Sequence, residues 1–407
     1  MNKKTIIILL LALVALVGQA QVKCHIKGEL RDTTKGNTVL ICPAEVDIRV
    51  SDNYTTTKAD AQGRFSFDVA TDKTGLYRVF LHEQYKNGSW SYKKFIVENN
   101  ATVSLLFDDD KWTVNSDGYE QMKKTKMDAE AERLYISKMD SLMTDVMNEL
   151  QPRIEELQRQ GKDPREDSLS IKRYQKFLVE NHKLYAQYQA WEYGYYKTHP
   201  MLFALYDIAN QMQSKDEKYN EKATALMNLY HSTYENYHPD NPIHNTIHAL
   251  ETGWKKTPGN PYIDFEVLTA EGERVNVASL YRGKVAVIDL WASWCGPCRK
   301  HSKELIPLYE KYKKLGFVVI GIAREEEVSR MTQAAEKDGY PWQNYIDLKD
   351  ELKVWQKNGL AFSGGGMFLI DSNGTILSTS TDADELEPLI RKALGLSDEA
   401  QEKWVSG

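Results

Sequence analysis

The rhythm of hydrophobic positions divides this 407-residue chain into successive regions. From about 22 to 116, apolar and polar residues alternate in short runs at 24–30, 38–42, 64–69, 77–81, 89–97 and 102–107, with turn-forming residues at 32–37, 61–63 and 98–100. A period of two marks strands with one buried face, so this region reads as an antiparallel β-sandwich. From about 118 to 250 Gly and Pro become scarce and the runs lengthen, which predicts helices over 127–157, 167–199, 201–213 and 216–237, broken at 161–164, His199-Pro200 and His238-Pro239. Pro152 is expected to kink the first of these or end it early. The dense aromatics Tyr185, Tyr188, Trp191, Tyr193, Tyr195 and Tyr196 read as rings packed between helices with their hydroxyls at the surface. A linker follows at 254–261, with two prolines and a glycine.

Beyond the linker the pattern changes again. Val285-Ala286-Val287-Ile288-Asp289-Leu290-Trp291 is β-branched and apolar without alternation, as expected of a strand buried on both faces of a sheet. Directly behind it stands Trp294-Cys295-Gly296-Pro297-Cys298, then a stretch with apolar residues at 305, 306, 308, 309, 312 and 315, a helical spacing. Gly296 and Pro297 suit the strand-to-helix turn, because a first-turn Pro gives up no needed N–H. Two thiols so placed can close a disulfide within one helical turn, and the helix N-terminus favours the thiolate of the first. Cys295 is therefore expected at the exposed lip as the attacking thiolate, and Cys298, shielded inside the turn, as the thiol that resolves the mixed disulfide.

Cysteines spaced by two also form half of many zinc sites. Zinc needs four ligands, and neither Cys24, Cys42 nor a His-rich run supplies a second half, so no metal or other cofactor is expected. His244 and His248, one helical turn apart after His238, lack the Glu that follows the first His of a metalloprotease motif, and read as flanking the linker.

The segment from about 260 to 395 resembles a thioredoxin-like domain of the TlpA/ResA type, the envelope thiol:disulfide oxidoreductases. "GKVAVIDLWASWCGPCRK" resembles that family's central strand, active site and helix start, "GFVVIGIA" its next strand, and "MFLIDSNGTIL" its terminal hairpin. "PYIDFEVLTAEGERVNVASLYRG" resembles the extra N-terminal hairpin of this branch. The resemblance implies a central mixed sheet flanked by helices. It also implies a role for Asp289, six residues before Cys295, as the buried carboxylate that exchanges a proton with Cys298. A carboxylate buried behind a dithiol has a raised pKa and can serve as general base; the bland alternative is a strand-end Asp satisfied by backbone N–H groups. Trp291 and Trp294 read as wall and platform of the site. Through "IKGEL", "GRFSFDV" and "FIVENNATVSL", the first region resembles the β-domain that precedes thioredoxin-like domains in envelope proteins of the Bacteroides group.

Two positions depart from the family pattern. Gly365, within Ser363-Gly364-Gly365-Gly366, stands where such folds carry a cis-proline facing the dithiol. A non-proline cis bond is costly, so a trans or remodelled loop is expected, with altered substrate alignment or a wider groove. Lys303 replaces a helix-kinking proline, with Pro307 one turn later.

At the N-terminus, Asn2-Lys3-Lys4, the apolar run 5–17 and Gly18-Gln19-Ala20 read as a secretory signal peptide cleaved after Ala20. That implies an oxidising periplasmic or envelope compartment and no stable membrane insertion after cleavage. Cys24 and Cys42 lie at mirrored distances from the turn near Thr33-Thr34, compatible with a structural disulfide across a hairpin; two unpaired buried cysteines are the alternative. A net charge of -6 and a pI near 5.9 argue against nucleic acid or an anionic membrane surface as partner.

The expected organisation is a signal peptide over 1–20, a β-sandwich over 21–116, a helical domain over 117–253, a thioredoxin-like α/β domain over 254–397 and a tail over 398–407. The expected chemistry is disulfide exchange on protein substrates. The Gly-Pro pair between the cysteines resembles reducing thioredoxins, so reduction is the expected direction, with a membrane electron donor of DsbD type implied by the resemblance. The competing class is a binding module for polypeptide or glycan with a secondary dithiol. Peroxide reduction lacks the expected Thr-to-Cys active-site spacing.

Overall fold

The computed structural model describes residues 22–87, 91–212, 220–360 and 363–396, so the expected signal peptide and the C-terminal tail lie outside the described residues. The chain divides into two compact units. Of the described residues, one holds those up to Thr38 with those of Thr57–Asp207 and Met227–Pro239; the other holds those of Val39–Thr56, of Ile208–Leu226 and from Asp240 onward.

The N-terminal strands are β1 (Val22–Leu30), β2 (Thr38–Pro43), β3 (Thr55–Lys58), β4 (Arg64–Thr71), β5 (Gly75–Leu81), β6 (Tyr92–Val97), β7 (Thr102–Asp108) and β8 (Lys111–Ser116). Alternation builds β1 and β7: Val22, Cys24 and Ile26 point inward between exposed Lys23, His25 and Lys27, and Val103, Leu105 and Phe107 do the same. One sheet has the order β4-β1-β7-β8, with β1 antiparallel to β4 and parallel to β7. β5 pairs antiparallel with β6, which packs against β8 and β1.

Of the two alternatives the sequence left open for Cys24 and Cys42, this topology does not form the disulfide. Both neighbours of β1 in its sheet are other strands, so no β1–β2 hairpin exists; Cys24 stands opposite Val69, and β2 belongs to a different sheet. Cys24 and Cys42 are both buried, and neither is joined to another cysteine. Burial raises the pKa of Cys24, which makes it an inert core residue.

The first unit continues into helices α1 (Tyr119–Ala131), α2 (Ser137–Arg159) and α3 (Ser168–Thr198), with a single π-helical turn, Glu132–Ile136, joining α1 and α2. α2 and α3 form a hairpin over buried Val146, Leu150 and Phe177. Asp167 caps α3 by accepting from the Ser170 N–H at 2.9 Å, and Arg153 of α2 reaches the same carboxylate at 2.8 Å. Pro152 does not end the helix, which runs on to Arg159. The helical aromatics depart from expectation in one respect. Tyr196 is buried and its hydroxyl donates inward to Asp207 at 3.0 Å.

In the second unit, a seven-stranded sheet runs in the order β10-β9-β13-β12-β11-β14-β15. Its members are β9 (Glu266–Leu268), β10 (Arg274–Asn276), β11 (Val285–Trp291), β12 (Phe317–Glu325), β13 (Asn344–Leu348), β14 (Gly366–Ile370) and β15 (Ile376–Ser378). β11 is parallel to β12 and antiparallel to β14, and every one of its residues is buried. Its continuous apolar run is explained by two cores. Ala286, Ile288 and Leu290 face Tyr262, Trp355 and Phe368, whereas Val285 and Val287 face Leu305, Leu308, Leu386 and Ile390 of the helices Gly296–Tyr312 and Ala383–Ala393. Each fully buried aliphatic side chain of this kind contributes about 1.5–3 kcal/mol. Pro307 sits inside Gly296–Tyr312 without ending it. His244 and His248 lie on the helix Ile243–Trp254, where His248 meets Glu251 at 3.6 Å. Among the described residues no helix is long and apolar enough to cross a membrane.

Candidate active site

β11 delivers the site. Its last residue, Trp291, is fully buried with its indole N–H donating to Asn344 at 3.1 Å, and the chain then turns out of the sheet. Cys295 is the N-cap of the following helix, in extended conformation, and its Sγ accepts the backbone N–H of Cys298 at 3.3 Å. A sulfur that accepts a helix N-terminal N–H is stabilised as thiolate when reduced. Cys295 and Cys298 are joined in a disulfide with Cα atoms 5.3 Å apart. The expected contrast in exposure is weaker than the sequence suggested: both cysteines are half-buried, while Gly296 and Pro297 between them are exposed. Cys298 packs against the Trp291 core.

Asp289 lies on β11 beneath the dithiol, 1% exposed, and lines the same cleft as Cys295, Cys298 and His301. Burial pushes its carboxyl up to about 7, with a hydrogen bond from Ser302 pulling the other way. Its Oδ2 meets no hydrogen-bond partner among the described residues. The bland alternative, satisfaction by strand-end N–H groups, leaves no such orphan. A buried carboxyl that titrates near neutrality beside a dithiol can carry a proton in either direction.

The glycine run forms the opposite wall. Every peptide bond among the described residues is trans, including the Gly365 position. A side chain at Gly364 would come within 2.7 Å of the Cys295 sulfur, and one at Gly365 would overlap the carbonyl oxygen of Leu290 and stand 3.1 Å from the Cys298 sulfur. The run is thus a close backbone approach to both sulfurs, for which glycine is required.

Three supports escaped the sequence reading. Arg299 donates to both oxygens of Asp338, at 2.6 and 2.9 Å, and to the Ser293 carbonyl at 3.1 Å, tying the active-site turn to the neighbouring helix. Glu325, fully buried at the end of β12, accepts from the Ser293 N–H and hydroxyl, and burial raises its pKa. Ser302 donates to the Cys298 carbonyl at 3.0 Å, and its hydroxyl oxygen also lies against Asp289. The only signal for Glu325 was a charge closing an apolar strand, whereas Asp289, inside its strand, was marked by the family resemblance.

Residues 258–379 match the family model described as the AhpC/TSA family. The thiol-disulfide oxidoreductase ResA of Geobacillus kaustophilus is 28% identical over 134 residues, 33% of this chain and 74% of that protein. The C-terminal domain is thioredoxin-like, of the TlpA/ResA type. A probable phospholipid hydroperoxide glutathione peroxidase 6, mitochondrial, of Arabidopsis thaliana is likewise 28% identical, over 33% of this chain and 68% of its own length. Among solved structures, a putative thiol:disulfide interchange protein DsbE from Chlorobium tepidum is 29% identical, covering 34% of this chain and 98% of its own, with a TM-score of 0.30. The family match and the ResA likeness both lie within about a third of the chain; they support the general thiol-disulfide oxidoreductase class for this domain, and the preceding regions take no function from them.

Proposed function

We propose that the chain is an envelope thiol:disulfide oxidoreductase that reduces disulfides of protein substrates. The observation that carries this reading is Cys295 at a helix N-cap, bonded to Cys298, with the buried carboxyl of Asp289 in the same cleft. In the reduced protein the Cys295 thiolate attacks one sulfur of a substrate disulfide; a mixed disulfide forms and one substrate thiolate leaves, taking a proton from solvent. Asp289 then accepts the Cys298 proton, and Cys298 attacks Cys295, releasing the second substrate thiolate. Two electrons pass to the substrate, and the Cys295–Cys298 disulfide remains. Trp291, Trp294, Gly296, Pro297 and Gly365 shape the surround.

Regeneration requires a dithiol donor, and the family resemblance supports a membrane protein of DsbD type. The signal-like N-terminus supports an envelope location, checked by finding Gln21 as the first residue of the protein purified from the envelope fraction. The catalytic reading is tested with insulin or a disulfide peptide. Wild type reduces it and Cys295→Ala does not; equal behaviour of the two overturns the reading and favours the binding module. The direction is tested by the equilibrium potential: a value near about -270 mV supports reduction and one near about -120 mV supports oxidation. The likeness to a probable phospholipid hydroperoxide glutathione peroxidase favours peroxide reduction as a second reading, supported only if the reduced protein consumes peroxide faster than the disulfide peptide.

A further inference from the structure

The compact unit that holds the dithiol also contains Val39–Thr56, a segment more than two hundred residues away in sequence. Its anchorage there is electrostatic and buried. Arg324 on β12 is 1% exposed, and its guanidinium donates to Asp350 through two nitrogens and to Asp47 at 3.1 Å. Asp47, itself 7% exposed, also takes a forked pair from Arg49, Nε at 2.8 Å and Nη2 at 2.6 Å. Asp52 is tied to Lys349 at 2.8 Å. Removing one member of such a buried network leaves an uncompensated charge, so the segment is held in one place.

What it holds there is Arg49. The Arg49 guanidinium carbon lies 3.9 Å from the centroid of the Trp294 ring, one residue before Cys295. The Trp294 indole N–H is enclosed and meets no hydrogen-bond partner among the described residues, so no hydrogen bond sets the rotamer of this ring. A guanidinium fixed by a carboxylate stacks on the ring and restrains it.

We propose that Arg49 is a positioning residue for the dithiol: held by Asp47, it locks Trp294 in the orientation that receives a polypeptide disulfide beside Cys295. The proposal rests on the reductase reading above. Locking acts on affinity. If only a fraction of molecules carries Trp294 in the competent orientation, the apparent dissociation constant rises by the inverse of that fraction, while the sulfur chemistry of the bound complex is unaltered.

The experiment uses the full-length protein and a disulfide peptide reduced under steady-state supply of dithiol. Arg49→Met keeps the length of the side chain and removes its charge. It is expected to raise KM by roughly threefold to tenfold, the range a partly desolvated cation–π contact supports, with kcat unchanged. Lys349→Met, which cuts a different tie of the same segment, is the control and is expected to leave KM at the wild-type value. In a Trp294→Leu background, Arg49→Met is expected to add nothing. A second readout does not need turnover: the change in tryptophan emission on reducing the disulfide is expected to differ between wild type and Arg49→Met, and not between Trp294→Leu and the double variant. An unchanged KM with unchanged emission, an equal effect of Lys349→Met, or a full effect of Arg49→Met without Trp294 would overturn the proposal. A wild type that reduces nothing sinks the reductase reading instead, and the emission comparison then decides the Arg49–Trp294 coupling alone.

Discussion

Two pairs of cysteines sit in this molecule under opposite circumstances. Cys24 lies in a strand whose inward and outward residues alternate, occupies an inward position like Val22 and Ile26 around it, and has no sulfur partner. Cys295 and Cys298 lie just past a strand buried on both faces, where the chain leaves the sheet and starts a helix. Location relative to the backbone, and not the presence of sulfur, separates a packing residue from a reactive one. At a helix start the free N–H groups face the sulfur; inside a half-buried strand the ladder has already used them.

The sharpest way to break that contrast is to exchange the fates of the pairs. Cys295→Ser is expected to abolish reduction of a disulfide peptide, whereas Cys24→Ala with Cys42→Ala leaves turnover intact, as followed by a coupled thiol assay. In the unreduced protein, a thiol reagent added under full denaturation should find Cys24 and Cys42, and little should react in the native state because both are buried. Loss of activity on removing Cys24 and Cys42 would make the first pair functional after all.

Asp289→Asn sharpens the same contrast on the proton side. A general base typically contributes about 100-fold to 10,000-fold, so release of the mixed disulfide at pH 7 is expected to slow by roughly 100-fold, read by single-turnover kinetics. Stability should move the other way. The folded carboxyl titrates near 7, well above its ordinary value, so the fold binds a proton that the unfolded chain has already lost. The stability this confers is complete below about pH 4 and is lost as pH rises to 7; above that the ionised buried group costs about 4 kcal/mol. Asn therefore raises the unfolding free energy by several kcal/mol at pH 8 and little at pH 4, measured by denaturant titration of the oxidised protein.

A smaller effect compares two glycines. Gly365→Ala forces a methyl onto the Leu290 carbonyl and is expected to cost about 1–3 kcal/mol. Gly194→Ala, on an open face of Ser168–Thr198, is expected to gain about 0.5–1 kcal/mol. Thermal unfolding of both variants checks the pair, and a stabilising Gly365→Ala would show the loop is looser than described.

Much of this arrangement was legible in the sequence because it follows from local pattern. The unbroken run of 285–291 announced a central strand, and the glycine and proline between the cysteines announced the helix start; the buried carboxyl of Asp289 came from the family resemblance. Strand order was not local. The mirrored spacing of Cys24 and Cys42 suggested a hairpin, yet β1 takes its partners from β4 and β7, a choice made by long-range pairing that periodicity does not encode. Of the two outcomes expected at Pro152, the early end does not occur: packing of Val146, Leu150 and Phe177 outweighs the missing hydrogen bond. The association of Asp47 and Arg49 with β12 and Trp294 lies further out of reach, because ordinary charges in a loop carry no sign of which distant charges they will meet.

The most direct test of the central claim is brief alkylation of the freshly reduced native protein across a pH series, with the modified cysteine mapped by mass spectrometry. Cys295 is expected to react first, with a midpoint below the value of about 8.5 for a free cysteine, while Cys298, Cys24 and Cys42 lag. Preferential modification of Cys298, or a Cys295 midpoint at or above that of a free thiol, would contradict the assignment of Cys295 as the helix-stabilised nucleophile.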